Sequence, residues 1–249
     1  MRKYISILAV ALAALFVATS CEFSSGTDPD INKANKLLWY RVQEVLGSQY
    51  HHIVAMAQLN DTMRNAEYGN KPYKGEVPEI TESNGVYTLV YDYERTYIIN
   101  TLGKRLEEGG EWSIQVRYGT YMEPYKLGTV KGVVGEPTKF SFDFADMYAY
   151  RSPYSCALKS EMEYFYNVSD ESLDITLFNT EGLSVEHYAE AHPDYIIEFK
   201  APEPLVFYGG ELYSGVVDIL YKDNVSQTQR GVTVEISNKF TTFVPSKLE

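Results

Sequence analysis

The sequence predicts a mainly β protein of the α+β class: an antiparallel β-sandwich or open barrel of about a dozen strands with an N-terminal helix packed on it. Three observations carry that expectation. Tyr and Phe number 22 and 11 of 249 residues, and aromatic side chains fit a pleated, half-buried sheet surface. From residue 86 onward, short apolar or alternating runs are separated by Gly, Pro and acidic residues, with no interleaved helical segments of the kind that build parallel sheets. Only residues 31–66 carry apolar side chains at intervals of three and four, the period of an amphipathic helix.

Taken in order, the chain opens with Arg2 and Lys3 and an apolar run over residues 5–18, too short to span a bilayer as a helix. A basic start followed by such a run predicts a signal peptide over residues 1–20. Residues 21–30 are small, polar and acidic, the composition of a flexible tether. Ile31, Ala34, Leu38, Val42, Val45, Ile53, Met56 and Met63 then form a helical stripe that Leu37, Leu46 and Leu59 widen, with Asp30 as the expected N-cap. Gly47-Ser48 leaves one helix or two open, since a lone Gly inside a helix costs about 1 kcal/mol relative to Ala. Residues 68–83, with Gly69, Pro72, Gly75 and Pro78, read as a loop.

Strands are expected over 86–93, 96–102, 112–118, 126–134, 138–144, 154–168, 173–178, 195–199, 205–208, 211–221, 231–236 and 240–244. Within 154–168, Tyr154, Cys156, Leu158, Met162, Tyr164, Tyr166 and Val168 fall on one face, opposite Ser155, Lys159, Glu161 and Glu163. A short helix is expected from Ser184, ended by Pro193. Gly209-Gly210 marks the clearest hairpin, because consecutive glycines permit the positive φ angles of a tight turn. No internal repeat divides the region, so residues 31–249 read as one helix plus antiparallel β domain. A transmembrane barrel is not what the pattern predicts: Lys159, Glu161 and Glu163 would line an entire polar face, and the other strands lack clean lipid-facing alternation.

With 45% hydrophobic and 22% charged residues, the chain has the composition of an ordinary folded protein and excludes a low-complexity one. The net charge is −12, and losing Arg2 and Lys3 with the signal peptide takes it to −14. Nucleic acid is therefore not an expected partner, since binding it needs clustered basic charge.

The apolar run ends Val17-Ala18-Thr19-Ser20-Cys21, which resembles the lipobox of bacterial lipoproteins, with Ala18 in place of the usual Leu. The resemblance covers the targeting segment alone. It implies that Cys21 is lipidated and becomes the membrane anchor. Glu22 rather than Asp follows the cysteine, so the inner-membrane retention signal of enterobacterial lipoproteins is absent, which implies the outer membrane, on its periplasmic or cell-surface face. The Tyr-rich, acidic chain is similar in style to Bacteroidota lipoproteins. With Cys21 in a thioether, Cys156 is left without a partner and no intrachain disulfide is expected.

The common catalytic signatures are absent from the sequence. Gly128, Gly132 and Gly135 are not spaced as a phosphate-binding glycine loop, and no GxSxG, SxxK or CxxC occurs. His187, Glu190 and His192 read H-x-x-E-x-H, and histidines five residues apart do not share a helical face, so a solvated acidic turn is expected there rather than a metal site. Of His51 and His52, one is expected on the helix stripe and the other in solvent. Cys156 is expected to pack as a small hydrophobe. Asp143 with Asp146, or Glu161 with Glu163, form a glycosidase pair only if they face each other across a cleft, and Asp170, Glu171 and Asp174 lack EF-hand spacing. Asp61-Thr62-Met63 resembles a Bacteroidota O-glycosylation tripeptide.

What remains is aromatic residues in turns. Tyr118, Tyr121 and Tyr125 flank one turn; Tyr148, Tyr150 and Tyr154, with Arg151, occupy another. Such rings stack on sugars or anchor a protein partner at low entropic cost, unless they fold back onto the core. The expectation is a lipid-anchored, non-catalytic binding or assembly component without cofactor or metal, whose partner is a glycan or an envelope protein. A glycan-binding accessory lipoprotein is the alternative, and a carboxylate-based glycoside hydrolase a more distant one.

Overall fold

The computed structural model describes residues 29–63, 73–107, 109–133, 135–147, 154–186 and 195–245. The signal peptide, Cys21 and the tether before Pro29 lie outside them. Helix α1 (Pro29–Met63) is followed by thirteen strands: β1 (Glu79–Ser83), β2 (Val86–Val90), β3 (Thr96–Glu107), β4 (Glu111–Gly119), β5 (Pro124–Val133), β6 (Lys139–Met147), β7 (Tyr154–Asn167), β8 (Ser172–Glu186), β9 (Tyr195–Lys200), β10 (Leu205–Tyr208), β11 (Glu211–Asp223), β12 (Thr228–Ser237) and β13 (Phe240–Pro245). All pairings are antiparallel in one continuous sheet, β1 through β8, then β10 to β13. β9 and β10 share a single lane: β8 and β11 pair with β10 toward one end and with β9 toward the other. Between the two, Pro202 and Pro204 remove the donors that a continuous strand would need. The expected antiparallel β protein with a packed N-terminal helix is what forms, as an open curled sheet.

The curl follows from the register. Pairing slips between Asn100 and Arg105, between Val116 and Arg117, and between Lys159 and Glu161, and such irregularities bend and twist the strand that carries them. The inner faces of β2 to β12 and the buried side of α1 join in one core, with Val42, Val116, Phe144, Leu158, Phe199, Ile219 and Val234 all at 2% exposure or less.

α1 is continuous through Gly47, which is exposed and has no atom within 4 Å of where a Cβ would stand. The roughly 1 kcal/mol glycine penalty is outweighed by packing on either side, at Val45, Leu46 and Ile53. The helix has two halves. Over residues 33–47 exposed and buried positions alternate at helical period. Over residues 49–61 none is exposed, so this half is enclosed on every side. It contacts distant strands at once: Tyr50 packs on Phe207 of β10, His52 on Phe144 of β6, and Asn60 bonds Tyr164 of β7.

Several expectations are corrected. Residues 79–83 form β1 rather than loop, paired to β2 through Asn84 and Gly85, both at positive φ. Ser184–Glu186 continue β8 as strand, held between β7 and β9, instead of starting a helix. Tyr91, Asp92 and Tyr93 leave β2 and enter a bend in which the Asp92 carboxylate accepts from the Glu94 and Arg95 amides. The helix already includes Pro29, so Asp30 lies in its first turn rather than capping it. Val168 is 70% exposed instead of continuing the buried face of β7. The Gly209-Gly210 hairpin forms as expected, with φ of 56° and 88°.

Candidate functional site

The middle of α1 places His51 and His52 among tyrosines of β3, β4 and β5 and of the bend after β2. The two imidazoles lie 3.8 Å apart between centroids. His52 is fully buried, its Nδ1 is 2.7 Å from the Tyr97 hydroxyl, and its edge meets Tyr118 at 4.5 Å. Tyr97 contacts Tyr91 and Tyr118, and Tyr118 contacts Tyr125. The expectation of a solvated histidine fails: His51 Nε2 is buried without a hydrogen-bond partner. Burial, then the neighbouring His52 and Arg95, lower the His51 pKa to about 2. Burial likewise raises the Tyr97 and Tyr91 hydroxyls above their ordinary value. The cluster is thus held neutral, a polar seam between helix and sheet.

A strap closes over this seam. The Lys74 amide donates to the Glu171 carbonyl in the β7–β8 turn, and Gln58 Nε2 donates to the Glu76 carbonyl. Tyr91 donates to Gln58 Oε1 at 2.5 Å. Arg95 bridges Glu76 and Asp92 and lies 5.7 Å above the Tyr91 ring. The Arg95 hydrogen bond holds the Glu76 carboxyl below its usual range, and for Asp92 burial is outweighed by the Arg95 guanidinium together with the Arg95 and Glu94 amides, so its pKa too is lowered. Segment 73–76 therefore binds the far side of the helix.

The turn tyrosines divide. Tyr118 and Tyr125 are half-buried in the seam, whereas Tyr121 is 57% exposed. Tyr148, Tyr150 and Arg151 lie outside the described residues, as do His187, Glu190 and His192. Tyr154 begins β7. Missing from the sequence reading was Tyr93, 66% exposed, whose carbonyl accepts the Tyr121 amide at 3.3 Å. That bond ties the β2–β3 and β4–β5 turns together and sets Tyr93, Tyr121 and the 71% exposed Met122 at one end of the sheet. The signal was Asp92 between two tyrosines, a turn former inside an apparent strand.

Other candidates fall into structural roles. Cys156 is buried, with Gln49 Nε2 at 3.4 Å and the Ser48 hydroxyl at 3.6 Å. Asp143 is exposed on β6 and Glu161 on β7, where Glu161 accepts from Asn179; Glu163 pairs with Lys139 at 3.8 Å. Asp170 and Asp174 accept from the same Asn167 amide. Thr62 bonds back to the Gln58 carbonyl within the helix, beside a buried Asp61. Among the described residues no three His, Cys, Asp or Glu side chains converge as metal ligands, and no helix is long and apolar enough to cross a membrane. A void under the helix, lined by Met56, Leu59, Trp112 and Phe140 among others, amounts to about 10 Å³, room for one water.

Among the described residues, the fold defines a class: an antiparallel β protein whose interior is filled by its own helix. Comparison with family models, with curated proteins and with solved structures returned no match.

Proposed function

We propose that the chain is a lipid-anchored outer-membrane lipoprotein whose helix-filled β domain is a non-catalytic binding or assembly component. The anchor is supported by the run of small residues into Cys21 behind a basic, then apolar, leader. Binding is supported by one observation above the rest: Tyr93, Tyr121 and Met122 stand exposed on two turns that a backbone hydrogen bond holds together. Aromatic side chains on a rigid support give contact area at little entropic cost, and Met adapts to an irregular partner surface. The two exposed tyrosines also favour a second reading, in which the ligand is a glycan whose sugar faces stack on the rings.

Labelled palmitate should enter the wild type and not Cys21→Ala; equal labelling would remove the anchor. Tyr93→Ala and Tyr121→Ala should each leave stability within about 0.5 kcal/mol of wild type and weaken partner or glycan binding by about 1 to 2 kcal/mol. A glycan array read with wild type and the double variant separates the two readings: array signal lost in the variant supports the glycan, and a blank array leaves a protein partner.

A further inference from the structure

The outward face of the first half of α1 is polar except for two side chains near its centre. Over residues 33–47 the buried positions, among them Leu38, Val42, Val45 and Leu46, face the sheet. The opposite side carries Lys33, Lys36, Leu37, Tyr40 and Glu44, all exposed. At 100° per residue Lys33, Leu37, Tyr40 and Glu44 sit within about 60° of one another, so an apolar pair occupies the centre of the solvent face. Leu37 is 60% exposed and Tyr40 is 42% exposed. Core packing accounts for neither.

Lys33 and Lys36 flank the pair, and the acid on the same face, Glu44, is ion-paired with Arg41 at 2.7 Å. Cations flanking exposed Leu and Tyr are the pattern of a helix that lies on an anionic bilayer surface, with apolar side chains at the headgroup level and lysines reaching phosphates. Position supplies the third argument, and it rests on the proposed lipid anchor. Only residues 22–28 separate Cys21 from Pro29, at most about 30 Å when extended, and Leu37 lies about 12 Å further along the helix. An anchored Cys21 keeps this face within reach of the membrane.

We infer that the outward face of the first half of α1, centred on Leu37 and Tyr40 and flanked by Lys33 and Lys36, docks on the anionic phospholipid surface and fixes the orientation of the β domain on the membrane. A lipid on Cys21 holds the chain at the membrane through a flexible tether without orienting it; the docked face points the domain one way.

The test uses the full lipidated chain in vesicles of phosphatidylethanolamine and phosphatidylglycerol. Nitroxide labels are placed at Leu37→Cys and Tyr40→Cys, with Val225→Cys, 70% exposed on the β11–β12 turn, as reference; the unsubstituted chain controls for labelling at buried Cys156. The labels at 37 and 40 should be several-fold more accessible to oxygen, relative to a nickel chelate, than the label at 225. Adding Lys33→Glu and Lys36→Glu should abolish the difference without changing Tm or flotation. Flotation with water-exposed labels at 37 and 40 overturns the docking and leaves the anchor standing. Failure to float overturns the anchor, and the docking with it.

Discussion

Protonating His51 inside the folded chain places a charge where burial, the His52 ring and Arg95 all oppose it, which is why its pKa falls to about 2 from an ordinary 6.5. The unfolded chain takes up this proton below pH 6.5 and the folded chain does not. Stability from this group is therefore complete above pH 6.5 and declines as pH falls toward 2, by about 1.4 kcal/mol per pH unit. Between pH 7.5 and 5.5, His51 should cost the wild type about 1.4 kcal/mol. Urea melts at the two pH values should show a smaller loss for His51→Phe, and parallel losses would show that the ring is accessible to protons. Gly182 is a second decisive position. It pairs with Phe199 across β8 and β9, and a Cβ there would stand 1.9 Å from the Phe199 ring, which is itself 1% exposed. Gly182→Val should destabilise by about 1 to 3 kcal/mol through overpacking, read as a lowered denaturation midpoint at unchanged slope.

At the scale of elements, α1 is attached along both halves by packing and by hydrogen bonds. Arg230 of β12 donates to buried Asn35, and Leu38, 8% exposed, faces the core. Leu38→Asp should cost about 2 to 4 kcal/mol through lost packing and a buried charge; an unchanged Tm would mean that this half stands free. Near the other end, the Tyr164 hydroxyl accepts from Asn60 at 2.6 Å and donates to Asp61 at 2.7 Å. Tyr164→Phe should cost about 1 to 3 kcal/mol, measurable by calorimetry. The strands were legible because their alternation records one buried face: 205–208 coincides with β10, and the glycine hairpin after it forms. β1 was hidden because Glu-Ile-Thr-Glu-Ser, at a sheet edge, buries almost nothing and leaves no hydrophobic period; only Asn84-Gly85, a strong hairpin signal, could have found it. The stripe in α1 was read correctly except at Leu37, which faces solvent, yet it concealed the enclosed half. Ile53 to Ala57 is an unbroken apolar run that covers every side of a helix, and the polar His51, His52, Asn60 and Asp61 beside it resemble a solvent face until their partners, strands 40 to 100 residues later in sequence, are known.

For the whole molecule, the sheet is a meander of hairpins between neighbours in sequence except where β8 pairs β10 and β9 pairs β11, while long-range contacts run through the helix. Asn35 reaches Arg230 and Gln49 reaches Cys156, separations of 195 and 107 residues. Each hairpin forms locally at modest entropic cost. Among the described residues the inner faces, with Val116, Phe144 and Leu158 essentially unexposed, are covered chiefly by α1, and the described edge strands β1 and β13 do not pair to close a barrel. A curled sheet without its helix would present a large apolar concavity to water and lose the packing that fixes its curvature. Residues 64–249 alone should therefore lack the near-ultraviolet circular dichroism of immobilised Tyr rings and should melt without a cooperative transition. Adding the peptide 29–63 should restore both, because the helix docks through side chains rather than through a shared backbone. If the truncated chain melts cooperatively with native near-ultraviolet intensity, the sheet holds its own curvature and the interior of the protein is available to something other than its helix.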